Sequence, residues 1–179
     1  MSELSIPDQG FKTSDINEII QFLEKRGIEF ARWTANQNLS IDATQEMVIK
    51  AYDHEVVPYM KKRGFLSADV INVHPKMDHL LDLRNKFLSE HVHSEDEVRF
   101  FVDGSGSFWF HFDDGVVASV LCTKGDFLSV PAGFKHWFDL APNYFVKAIR
   151  IFTSKEGWVA DYTNSGIDQK YNPELKVVK

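Results

Sequence analysis

The residues in this chain best suited to chemistry are two histidines separated by one residue, His91 and His93, then Glu97, and a distant third histidine, His136. In an extended strand, side chains at i and i+2 share a face, so His91 and His93 point together and Glu97 rejoins them if the pleat continues. Two imidazole nitrogens and a carboxylate oxygen then face one point, and His136 can complete the set. Imidazole suits iron, nickel, zinc and copper, and one added carboxylate favours a divalent first-row metal without naming it. A lone His-x-His would more often be a pair of surface side chains. The spaced fourth donor is what argues for a metal.

Around this set lie residues that could act on a bound molecule. Arg99 follows Glu97 by two positions, shares its face and points inward, where a guanidinium is costly to bury without an anion. That anion is either a negatively charged substrate or a carboxylate of the protein. Arg150 in Lys-Ala-Ile-Arg-Ile-Phe could supply a second inward cation. Phe138, two after His136, is expected in the cavity by strand alternation, and Phe87 is a further candidate for substrate contact. Phe100, Phe101, Trp137 and Trp158 are expected mostly in the core. Glu95 and Asp96 are either surface residues or acceptors for an imidazole N–H. Of the other histidines, His54 and His79 are expected exposed, His74 in a loop before a proline, and His111 in a structural role.

The elements that must position these residues follow from periodicity. Residues 13–26 read as a helix capped by Thr13 or Ser14, with Ile16, Ile19, Ile20 and Leu23 as its apolar stripe and Gly27 as its stop. A strand over 28–33 follows. Residues 44–63 read as a second helix closed by Gly64, with a kink or break at Pro58. A strand over 67–73 and a helix over 77–88 lead to the first ligand. Beyond residue 92, short apolar runs are divided by turn signals at 103–106, 113–115, 124–126 and 132–133, the texture of a barrel or jelly roll. The reading is therefore mainly β with α: one domain over 1–179. It has a helix-rich portion at 1–88, a barrel core at 89–163 and a surface tail at 164–179.

With 179 residues and 44% hydrophobic content, the chain can bury one sizeable core. A net charge of −6, with no clustered lysines or arginines, argues against nucleic acid or an anionic membrane as partner. Cys122 is the one cysteine, so no intrachain disulfide can form; it sits on an apolar strand pattern and reads as a buried hydrophobe in a reducing compartment. The first residues lack the pattern of a secretory or transit peptide, and no apolar run is long enough to span a bilayer. A cytoplasmic monomer acting on a small molecule is expected.

The spacing of the two blocks adds a resemblance. Glu97 is followed after six residues by Gly104, and Gly125, Pro131, Ala132 and Gly133 lead up to His136, which resembles the paired motifs of the cupin superfamily. Asn85 stands where a glycine is usual, and Leu140 where an asparagine is frequent; neither change removes a ligand. The runs FLSEHVHSEDEVRFFVDGSG, VPAGFKHWFD, KAIRIF and EGWVA are similar to those of the acireductone dioxygenases, a cupin family of methionine salvage. The resemblance implies a cupin barrel with flanking N-terminal helices and Fe(II) or Ni(II) bound by His91, His93, Glu97 and His136. It implies that Arg99 helps generate and hold a substrate dianion, and that Glu90 assists metal loading. The implied substrates are dioxygen and 1,2-dihydroxy-3-keto-5-methylthiopentene. The implied products are 4-methylthio-2-oxobutanoate and formate with iron, or 3-methylthiopropanoate, carbon monoxide and formate with nickel. Four protein ligands would leave two octahedral positions for a chelating enediolate. A different metallo-cupin enzyme, such as an isomerase or decarboxylase, and a non-catalytic ligand-binding cupin are the alternatives.

Overall fold

The computed structural model describes residues 1–154 and 158–171. In chain order its elements are β1 (Glu3–Ile6), β2 (Phe11–Thr13), α1 (Ile16–Glu24), β3 (Glu29–Arg32), α2 (Gln45–Ala51), α3 (Asp53–Arg63), β4 (Ser67–Val73) and α4 (Leu80–Leu88). There follow β5 (His91–Val92), β6 (Glu97–His111), β7 (Val117–Thr123), β8 (Asp126–Val130), β9 (His136–Asp139), β10 (Val146–Phe152), β11 (Asp161–Tyr162) and α5 (Ile167–Tyr171).

The strands form two antiparallel sheets that share β6. Its first half pairs with β8 and β10, which bring in β3 and β4. Its second half pairs with β7 and β9, and β1, β2, β5 and β11 extend that sheet. This is the jelly-roll form of the expected barrel, a sandwich with open edges rather than a closed cylinder. The turn expected at 103–106 is absent, because β6 runs through it for 15 residues. Its glycines serve the crossing between sheets. Gly104 has φ +70°, and a Cβ there would strike the Phe145 carbonyl, while the space a Cβ would need at Gly106 is filled by the Phe138 ring.

One core lies between the sheets and includes Phe101, Phe108, Val120, Leu128 and Phe138. A second lies outside β6, β8 and β10, where Val98, Phe100, Val102, Phe127, Ile149 and Ile151 meet Val48, Tyr52 and Val56 of the helical segment. Both faces of the first half of β6 are therefore covered. Glu97, Arg99 and Phe101 point inward, and Val98, Phe100 and Val102 point at the helices.

Several expectations need correction. Asp15, not Thr13 or Ser14, caps α1: its Oδ1 accepts from Asn17 N at 2.8 Å, and its charge also suits the positive helix end. The break expected at Pro58 falls at Tyr52, between α2 and α3, and Pro58 lies inside α3. The carbonyl Pro58 leaves unbonded belongs to the exposed His54, where water can satisfy it. The helix expected from residue 77 begins at Leu80. The first residues, for which no element is expected, form β1, whose Leu4 and Ile6 dock on the sheet edge at β7. The tail from 164 contains α5, which buries Asp168; its residues 172–179 and Glu156-Gly157 of the EGWVA run lie outside the described residues.

Candidate metal centre

β5 and β9 run antiparallel with His91 opposite His136, and β9 pairs in turn with β6. The loop after β5 returns His93 and Glu97 to the same side. One donor atom from each of His91, His93, Glu97 and His136 falls within 4.8 Å of the others, and all four residues are buried. Metal–ligand bonds of about 2.1 Å would put opposed donors about 4.2 Å apart, so the cluster is of coordinating size.

Each imidazole is held by a backbone carbonyl. His91 Nδ1 lies 2.7 Å from Ser89 O, His136 Nδ1 2.7 Å from Phe134 O, and His93 Nδ1 2.8 Å from Val159 O. A carbonyl can only accept, so each Nδ1 carries the proton and each neutral ring turns its Nε2 lone pair to the centre. Glu97 Oε2 stands 2.8 Å from His136 Nε2 and 3.0 Å from His93 Nε2. Carboxylate oxygen and imidazole lone pairs at that separation repel unless a cation lies among them. This donor set fits a divalent metal.

The electrostatics show how strongly this buried carboxylate draws positive charge: without a metal ion among the donors, it favours a proton on the facing His93 imidazole. Burial would raise the Glu97 carboxyl, but the Arg99 guanidinium and the two imidazoles outweigh it and hold the group well below the ordinary carboxylate range. Burial, followed by the neighbouring His136, pushes His91 down to about 4, so this ring stays neutral. Burial would also depress His93, but its contacts with Glu97 prevail and raise it.

Beside the cluster opens a cavity of about 640 Å³, lined by Arg99, Arg150, Phe87, Phe138, Trp158 and the aliphatic side chains of Ile71, Val73, Met77 and Leu83. Arg99 is 4% exposed and stands over the Phe138 ring at 4.7 Å. Its Nε is 2.7 Å from Glu97 Oε1, yet the pair is out of line for a hydrogen bond, and Arg99 Nε, Arg99 Nη1 and Glu97 Oε1 lack hydrogen-bond partners. The contact is Coulombic, and guanidinium N–H groups remain to be used. Arg150 sits opposite Arg99 across the β6–β10 ladder and is held by Asp69, with Nε 2.7 Å from Oδ1.

Glu90 is placed differently. Its buried carboxylate receives Thr163 Oγ1–H at 2.5 Å, Ser165 Oγ–H at 2.7 Å and His111 Nδ1–H at 2.8 Å, away from the four ligands. Glu95 accepts from Thr153, and Asp96 from Ala132 N, so neither holds an imidazole. His54 and His79 are exposed, and His74 lies in the loop after β4. Sequence reasoning missed the part played by the segment after residue 157. It supplies the Val159 carbonyl to His93, and Trp158, whose ring lies 5.9 Å from that of His93 and whose Nε1 donates to Asp96 O at 3.0 Å. A partner 66 residues away along the chain leaves no local signal. The carbonyls two residues before His91 and His136 are local, on the connections that lead into β5 and β9.

Fold and site define a jelly-roll metalloprotein with one His₃Glu centre. Comparison with known proteins narrows this: residues 7–160 match the model of the ARD/ARD′ family, and the chain belongs to that family. Acireductone dioxygenase of Hydrogenobaculum sp. is 47% identical over 174 residues, covering 95% of this chain and 94% of that protein. The enzyme of the same name from Picosynechococcus sp. is 46% identical over 158 residues, covering 88% and 90%. A solved structure of acireductone dioxygenase from Bacillus anthracis, with cadmium in its active centre, superposes with a TM-score of 0.82 at 31% identity, over 90% of this chain and 98% of that one.

Proposed function

We propose that this chain is a metal-dependent dioxygenase of methionine salvage that cleaves acireductone with dioxygen. The observation that carries the reading is the pairing, in one cavity, of three convergent imidazole nitrogens and a carboxylate with a guanidinium whose Nε–H and Nη1–H are unspent. His91, His93, Glu97 and His136 would hold one Fe(II) or Ni(II). When bound, the ion supplies a Lewis acid and a template for the enediolate oxygens.

The remaining work falls to the chain itself. Arg99 Nε–H and Nη1–H offer charge-assisted hydrogen bonds to an anionic oxygen, and burial strengthens them. Holding the substrate as a dianion makes it electron-rich and reactive toward dioxygen. Arg150, kept in place by Asp69, adds a second cation on the same wall. Phe87 and Phe138 offer apolar surface to the substrate's methylthio end. Glu90, which the resemblance links to metal loading, braces β5 against the C-terminal segment.

The chain is read as a cytoplasmic monomer folded as one domain, with no nucleic-acid or membrane partner. Supporting this are its net charge of −6, a buried lone Cys122, and the packing of α2 and α3 into the same core as β6. No helix among the described residues is long and apolar enough to cross a membrane. The test is to reconstitute metal-free protein with Fe(II) or Ni(II), add acireductone and dioxygen, and follow oxygen uptake, ketoacid and carbon monoxide. Ketoacid from the iron form and carbon monoxide from the nickel form support the reading. Identical products overturn metal control, and no oxygen uptake with either ion overturns the activity.

A further inference from the structure

Helix α4 touches both halves of the site. Leu83, Lys86 and Phe87 line the cavity, and Ser89, immediately beyond its last turn, gives its carbonyl to His91 Nδ1. Yet α4 is weakly tied down at its start. It begins from His79 in the left-handed region at φ 59°, with no side-chain cap, and the pair His79–Asp82 is fully in solvent. Such exposed pairs contribute almost nothing. Leu81 is 64% exposed, and only Arg84 and Leu88 of the helix are buried.

Arg84 supplies the buried directional attachment, beside an exposed hydrogen bond from Tyr162 Oη–H to the Lys86 carbonyl at 3.1 Å near the helix end. Its Nε donates to Asp139 Oδ1 at 2.8 Å and its Nη2 to Oδ2 at 3.0 Å, a two-pronged contact buried at both ends. Asp139 closes β9, the strand that carries His136, and its Oδ1 also takes the Ala141 N–H at 2.9 Å. The Tyr144 ring lies 5.4 Å from the guanidinium. A planar fork on a carboxylate fixes distance and rotation together, which apolar packing or a lysine would not.

We propose that Arg84 and Asp139 are positioning residues that pin α4 to the ligand strand, so that Leu83 and Phe87 stand at the right depth for the substrate. This rests on the proposed function for the identity of the substrate, not for the pin. The test compares wild type with the charge-neutral double variant Arg84→Met/Asp139→Leu and with Arg84→Lys, all metal-loaded. Because the double variant replaces the buried pair by apolar groups, it avoids stranding one charge.

The expected result for the double variant is full metal occupancy, a KM for acireductone raised about 10-fold with kcat within about 3-fold, and faster amide exchange over residues 80–88 than over β6. Arg84→Lys should keep most of the KM rise, since it retains charge without the fork. A merely structural pair would lower the unfolding midpoint and leave KM and local exchange unchanged, and that outcome overturns the proposal. Should the double variant not fold, Arg84→Lys decides by the same two readouts. If wild-type protein takes up no oxygen with acireductone, the proposed function fails, and the exchange measurement still decides the pin.

Discussion

Two buried glutamates flank the same histidine strand, and each meets an imidazole nitrogen at 2.8 Å, but they face opposite hydrogen-bonding problems. Glu90 is surrounded by donors: a threonine hydroxyl, a serine hydroxyl and the His111 ring. Burial alone would raise its pKa, yet these bonds outweigh it and lower the group. Glu97 meets imidazole nitrogens whose protons have been drawn to the far side of the ring by carbonyls, so acceptor faces acceptor. The first cluster is complete as it stands and acts as a clasp. The second is complete only with a cation. Counting donors against acceptors, rather than the mere presence of His and Glu, separates a metal centre from a structural network.

The comparison is broken most severely at the ligands. His136→Ala should lower affinity for Ni(II) by more than about 100-fold, because the loss of a ligand should exceed the 10- to 100-fold typical of losing a group that merely orients one. Titration of the metal-free variant measures it, and near-stoichiometric binding at wild-type affinity would remove His136 from the centre. Next in size is Arg99→Met, expected to keep its metal while turnover falls by roughly 100- to 1,000-fold, as for other deleted charge-stabilising donors. Unchanged turnover in the metal-replete variant would assign Arg99 to the Glu97 ion pair alone.

The clasp should respond in stability instead. Glu90→Leu removes the acceptor shared by Thr163, Ser165 and His111, which keep some access to water, and should cost about 1–2 kcal/mol in denaturant unfolding, while the metal is still bound at equilibrium. Loss of the metal with the fold intact would merge the two clusters into one functional unit. The smallest effect belongs to Cys122. Burial first, with the Asp126 carboxylate, pushes its thiol well above the ordinary value, so the neutral form persists at a pH where an exposed thiol is half ionised. Alkylation of native protein should then be no faster than unfolding, and rapid labelling would show that the strand opens locally.

Much of this was legible in advance, and the reasons differ by element. The strand over 67–73 follows from short-range periodicity, which needs no knowledge of partners, whereas the four-residue candidate ligand set rests on motif spacing and family resemblance, because His136 lies far along the chain. Arg99 was left between substrate contact and ion pair, and the structure shows both features: contact with Glu97 and unspent N–H groups. Phe138 and Phe87 do line the cavity, and Arg150 joins them, but its anchor Asp69 lies on a different strand and carried no signal. The glycines at 104 and 106 misled, because a turn and a strand crossing both need residues without a Cβ. The break at Tyr52 was misplaced to Pro58, since proline is a strong local breaker and the burial of Tyr52 beneath Phe100 is a tertiary fact.

The sequence by itself determined the candidate ligand set, through motif spacing and family resemblance, and the barrel or jelly-roll class, because turn chemistry and strand alternation are properties of neighbouring residues. Only the tertiary structure decided which imidazole nitrogen faces the metal, which glutamate is saturated and which is not, and which distant segment holds His93. Each of those depends on the position of a carbonyl or hydroxyl brought in from elsewhere in the chain, and a buried polar atom is defined by the partners that folding brings to it.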